Sequence, residues 1–117
     1  MIPAGAKVLL SAQPIDFRKG MDGLIGLVRD AGNDPFKGAF YVFRSKRADR
    51  LRMIWYDGSG VCLLSKRLEK GHFCWPRVGL SRIRLSQAQT LALLDGLDWK
   101  RVLPARLSWT QKAGQVA

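Results

Sequence analysis

Between Phe40 and Arg84 the chain interleaves basic and aromatic side chains in a continuous strand-like stretch. The Phe40–Leu85 segment holds eleven Lys and Arg against three Asp and Glu, most of the net charge of +11 carried by 117 residues. Arg44, Lys46, Arg47, Arg50 and Arg52 fall within nine positions, with Tyr41, Phe43, Trp55 and Tyr56 close by. Guanidinium and ammonium groups at this density bind phosphate oxygens, and aromatic faces among them stack on bases. Lys66, Arg67, Lys70 and Arg77 repeat the theme further along, and Trp75-Pro76 offers either an exposed ring or a core residue. The expected partner is a polyanion, nucleic acid (DNA or RNA) ahead of an anionic membrane surface or an acidic protein.

Catalytic chemistry has thinner support. Asp16 and Asp22 lie in DFRKGMD, and Asp57 and Glu69 are the other carboxylates a metal-assisted phosphoryl transfer would recruit. Each has a plainer role: Asp16 or Asp22 caps a helix, Asp57 opens a turn, and Glu69 sits among cations. His72 has no nucleophile or carboxylate at a diagnostic spacing. Gly58-Ser59-Gly60 is too short for a phosphate loop. Cys62 and Cys74 form no zinc pattern with His72, so no metal or other cofactor is expected, and both thiols are read as reduced, one of them buried. The reading is therefore non-enzymatic.

The elements that position these residues follow from periodicity. Lys7–Ala12 reads as a strand ended by Pro14. Gly20–Ala31 reads as a helix whose apolar face is Met21, Leu24, Ile25, Leu27 and Val28. Phe40–Phe43 is an aromatic strand. Leu51–Tyr56 and Val61–Leu64 form a hairpin through Asp57-Gly58-Ser59-Gly60, with Tyr56 opposite Val61, Trp55 opposite Cys62 and Arg52 opposite Ser65. Alternation then groups Arg50, Arg52, Ile54 and Tyr56 with Val61, Leu63 and Arg67. Leu51, Met53, Trp55, Cys62, Leu64 and Lys66 take the other face, the better core candidate. A strand is expected near Arg82–Leu85. Ser86-Gln87-Ala88-Gln89 is a capping box opening a helix that buries Ala88, Leu91, Leu94 and Leu97 and stops near Gly96.

The expected fold is α+β: a small antiparallel sheet of about four or five strands with two packed helices, forming one domain over residues 1–103. Residues 104–117 read as a poorly ordered tail, of which only Trp109 is expected to dock on the domain. No apolar run suits a signal peptide or a membrane span, so a cytoplasmic protein, nucleoid-associated when bound to DNA, is expected.

Three segments together resemble one family: DFRKGMDGL from Asp16, FYVFR from Phe40, and RLRMIWYDGSGVCLLSKRLEKGHFCWP from Arg50. They are similar to the accessory protein, TnpB, of the insertion-sequence sixty-six family of bacterial transposable elements. The likeness runs from about Val8 to Trp99. It marks Asp16, Arg18, Lys19, Gly20, Asp22, Asp57, Gly58 and Gly60 as motif positions, expected to be structural. The resemblance implies a non-catalytic role in transposition beside a separate, larger transposase. DNA binding then rests on charge and aromatics, with Arg44, Lys46, Arg47, Arg50, Arg52, Lys66, Arg67, Lys70 and Arg77 on phosphates and Tyr56 or Trp75 on bases. The rival expectations are docking on the transposase through an apolar face around Trp55 and Trp75, and metal-dependent cleavage. The sequence leaves the oligomeric state open.

Overall fold

The computed structural model describes residues 2–3, 5–11, 13–76 and 82–102. The elements are β1 (Val8–Ser11), α1 (Met21–Asp30), β2 (Phe40–Arg44), β3 (Arg50–Tyr56), β4 (Val61–Arg67), β5 (Arg82–Leu85) and α2 (Gln87–Leu94), followed by a 3-10 turn at Trp99–Arg101. One five-stranded sheet has the order β4-β3-β2-β1-β5. It is an α+β fold, mostly antiparallel, but β1 and β2 run parallel. The parallel pair arises because α1 carries the chain back to the starting end of the sheet before β2 begins. Arg77, the tail at 104–117 with Trp109, and the expected end of the first strand at Ala12 lie outside the described residues.

Strand alternation divides the side chains between two cores. Val8, Leu10, Phe40, Val42, Leu51, Met53 and Leu85 point to one side, where Ala92, Leu93, Trp99 and Phe73 complete the cluster. Leu9, Tyr41, Phe43 and Ile54 point to the other, beneath Leu24 and Val28 of α1. The helices thus cover opposite faces. The face of Arg50, Arg52 and Tyr56 is therefore not simply the polar one, because Ile54 on it is only 2% exposed.

The β3–β4 ladder has the expected register, including Tyr56 opposite Val61, Trp55 opposite Cys62 and Arg52 opposite Ser65. Its turn is held by the Asp57 carboxylate, which accepts from the N–H groups of Ser59 (3.0 Å) and Gly60 (2.9 Å). Gly58 takes φ +106°, a conformation open to glycine at little cost. At β2–β3 the tighter position falls to an alanine: Ala48 has φ 58°, and its N–H bonds the Ser45 carbonyl at 3.0 Å.

Two helix expectations need correction. Neither Asp16 nor Asp22 caps α1. The N-cap is Gly20, without a side-chain bond; Asp22 lies inside the first turn, and Asp16 is engaged by Arg18. The capping box at Ser86 and Gln89 is present, but α2 buries Thr90, Ala92 and Leu93. Ala88 is exposed, and Leu91 and Leu97 are 52% and 57% exposed. Thr90 can turn inward because its hydroxyl donates to the Ser86 carbonyl at 2.8 Å, which removes the cost of burying it.

Replacing Ala48 by glycine relieves a left-handed alanine at the cost of a freer unfolded chain. Ala48→Gly should stabilise the protein by about 0.5–1 kcal/mol, read as a rise in Tm of about 2–4 °C. The Asp57 carboxyl is held below its ordinary value of 3.8 by the Ser59 and Gly60 N–H groups. Its stabilisation is present above the unfolded pKa and lost as pH falls through the lower folded one. Asp57→Ala should lower Tm at pH 7, and the gap from wild type should close as thermal denaturation is repeated from pH 5 towards pH 2. A gap that stays constant with pH would show that the charge on Asp57 does not hold the turn.

Candidate nucleic-acid interface

β3 and β4 present alternate residues to the α1 side: Arg50 opposite Arg67, Arg52 opposite Ser65, Ile54 opposite Leu63 and Tyr56 opposite Val61. The core on this side ends at Ile54, with Val61 of β4 packed on its rim. Beyond it Leu63 is 37% exposed, and Ser65, Arg67 and Arg50 face solvent. Two arginines directly opposite each other repel, so this pair does not contribute to folding. Among the described residues only Arg18 and Arg101 have a carboxylate within ion-pair distance. Among the described residues, no acidic side chain lies within ion-pair distance of Arg50, Arg52 or Arg67.

The DFRKG segment joins this face, although the sequence marks it only as a structural motif. Arg52 donates through Nη1 to the Lys19 carbonyl at 2.6 Å, and its guanidinium lies 4.5 Å from the centre of the Phe17 ring. That brings Arg18 and Lys19, both exposed, beside the β3 arginines. Alternation carried the usable signal: it puts Arg52 on the face that α1 covers, and DFRKG leads directly into α1. Arg18 grips the Asp16 carboxylate with Nε and Nη2 at 2.7–3.1 Å. The Arg18 side-chain bonds, with its backbone N–H, lower the Asp16 pKa to about 2. A cleft of about 550 Å³ opens between this segment and the β2–β3 turn, lined by Pro14, Ile15, Asp16, Phe17, Arg18, Ser45, Lys46 and Arg50.

The turn itself is firmly held. Ser45 Oγ donates to Asp49 Oδ1 (3.1 Å) and accepts from the Arg50 N–H (3.1 Å). Arg44 Nη1 donates to the Ser45 and Lys46 carbonyls at 3.4 and 3.3 Å. The segment after β4 lies against the turn. Leu68 N–H bonds the Asp49 carbonyl (2.9 Å), Phe73 N–H the Ala48 carbonyl (2.6 Å), and His72 Nδ1 donates to the Arg47 carbonyl (2.7 Å). Lys46, Arg47 and Lys70 stay exposed on this frame.

Other candidates are engaged within the protein. Lys66 points to the opposite face and donates to the Leu94 carbonyl at 2.6 Å, satisfying the C-terminus of α2. Trp75 Nε1 donates to the Ser11 carbonyl (2.7 Å), and its ring packs on the first core. Trp55 stacks on Phe40 with centroids 5.1 Å apart. Tyr56 Oη donates to the Gly58 carbonyl (2.8 Å), and its ring meets Phe36 edge-on at 5.4 Å, at the hairpin tip. Both cysteines are half-buried, and burial followed by a hydrogen bond to Asp57 or Asp98 pushes each thiol pKa up. Among the described residues no three His, Cys, Asp or Glu side chains converge to hold a metal ion, and no helix is long and apolar enough to cross a membrane.

Residues 6–104 match the family described as IS66 Orf2 like protein. The chain is 46% identical over 99 residues to the uncharacterized protein y4jC of Sinorhizobium fredii, covering 84% of this chain and 85% of that one. It is 37% identical over 103 residues to the uncharacterized protein y4hO of the same organism, covering 86% and 90%. No solved structure matches. Family membership suggests an accessory role in the transposition of insertion sequences. The span of the match and the identity to y4jC place the chain in the IS66 Orf2-like family.

Proposed function

We propose that this protein is a non-catalytic transposition factor that binds DNA through the α1 side of β3 and β4 and the adjoining turn. The observation that carries the reading is the row of exposed cations without carboxylate partners: Lys19, Lys46, Arg50 and Arg67, with Arg47 and Lys70 at the sheet end. Such groups release counterions when they meet phosphates, which makes affinity fall steeply with salt. Arg52 acts at one remove, fixing Phe17 and the Lys19 backbone in place.

Exposed apolar side chains on α2 and just beyond it favour a second contact. Leu91 and Leu97 stand open to solvent, while Trp55 and Trp75 are engaged within the first core. In this reading the element's separate transposase docks on α2 while DNA lies against the sheet.

With about six phosphates neutralised, log affinity for duplex DNA should fall against log salt with a slope near −5, measured by fluorescence anisotropy. The Arg50→Ala/Arg67→Ala double variant should flatten that slope by about 2. Lys66→Ala should leave it unchanged and instead cost about 0.5–1 kcal/mol of stability. Salt-independent binding, or equal effects from the two changes, would remove this interface. Co-purification with the purified transposase after nuclease treatment should survive in wild type and fail in Leu91→Ser/Leu97→Ser. Loss of wild-type co-purification on nuclease treatment would remove the docking contact.

A further inference from the structure

We propose that the cleft between residues 14–18 and the β2–β3 turn receives a single unpaired nucleotide of the bound DNA. The inference rests on the DNA-binding reading above and names what that surface selects. Its lining combines the apolar Pro14, Ile15 and Phe17 with the cations Arg18, Lys46 and Arg50, beside Asp16 and Ser45. Its volume of about 550 Å³ falls within the roughly 300–1,000 Å³ usual for small-ligand sites and accommodates one base with its sugar.

The chemistry is divided as a nucleotide requires. Phe17 supplies a ring, and Arg52, which is not part of the lining, polarises and steadies it at 4.5 Å. Lys46 and Arg50 have no carboxylate partner and meet the phosphate. Asp16, the one anion at the cleft, is already gripped by Arg18 and repels that phosphate weakly. A base stacked in a duplex exposes only its edges and does not enter a concavity. Only a base rotated out of the stack, or one in an unpaired strand, reaches the Phe17 ring. The cleft adjoins the β3–β4 cations through Arg50, so the flanking phosphates continue onto the same face.

The test uses the full chain and three duplexes at one fixed salt concentration: fully paired, carrying one extrahelical thymidine, and carrying an extrahelical abasic residue at the same place. The thymidine duplex should bind about tenfold tighter than the paired one, within the range expected for stacking one base on one aromatic ring. The abasic duplex should fall back to the paired level. Phe17→Leu, which keeps an apolar side chain beneath Arg52, should erase the difference between thymidine and abasic duplexes. The wild-type comparison decides the matter without that variant should it fail to fold. Equal affinity for all three duplexes, or a preference that the abasic duplex shares, overturns the nucleotide site and leaves salt-dependent DNA binding standing. Failure of all three to bind removes both readings.

Discussion

The hydrogen bonds that the Asp57 carboxylate accepts from Ser59 and Gly60 fix where β3 ends and β4 begins. Side chains alternate along a strand, so this choice decides which residues of both strands share a face. With Tyr56 opposite Val61, Arg50, Arg52 and Arg67 face the α1 side, while Leu51, Met53 and Leu64 enter the first core. A slip of one residue would bury the arginines and expose the core. The cationic face and the hydrophobic interior are thus two results of one register.

α1 and α2 complete that division unequally. The core beneath α1 ends at Ile54 with Val61 packed on its rim, and further along β4 Leu63 and Arg67 face solvent. α2 closes the other face, and Lys66 reaches across to the carbonyl of Leu94. The same strand therefore sends Arg67 to solvent and Lys66 to a helix end. Neighbouring cations in sequence do different work because strand geometry turns them in opposite directions.

Much of this was legible where the physics is local. The Asp-Gly turn, the alternation of β3 and β4 and the Ser86–Gln89 box each act within a few residues, and each appears in the structure. What the sequence hid depends on distant partners. Thr90 reads as polar, yet its bond to the Ser86 carbonyl allows it to turn inward and displaces Leu91 to the surface. Alternation put Lys66 on the core face, but its acceptor lies 28 residues away in sequence. Arg18 and Lys19 join the cationic face through Arg52, 33 residues beyond the Lys19 carbonyl it bonds. The parallel pairing of β1 with β2 likewise follows from the path of the chain through α1, which periodicity does not encode.

The β2–β3 turn has a consequence of its own. Asp49, Ala48 and Arg47 each give their carbonyl to the segment that follows β4, and Leu68 of that segment lies against Gly96 just past α2. A turn tied at three successive carbonyls has already surrendered its backbone freedom in the folded monomer. Any contact made through Lys46 and Arg47 would therefore cost only side-chain rotations, and its association entropy would be less adverse than for the same two residues on a free loop.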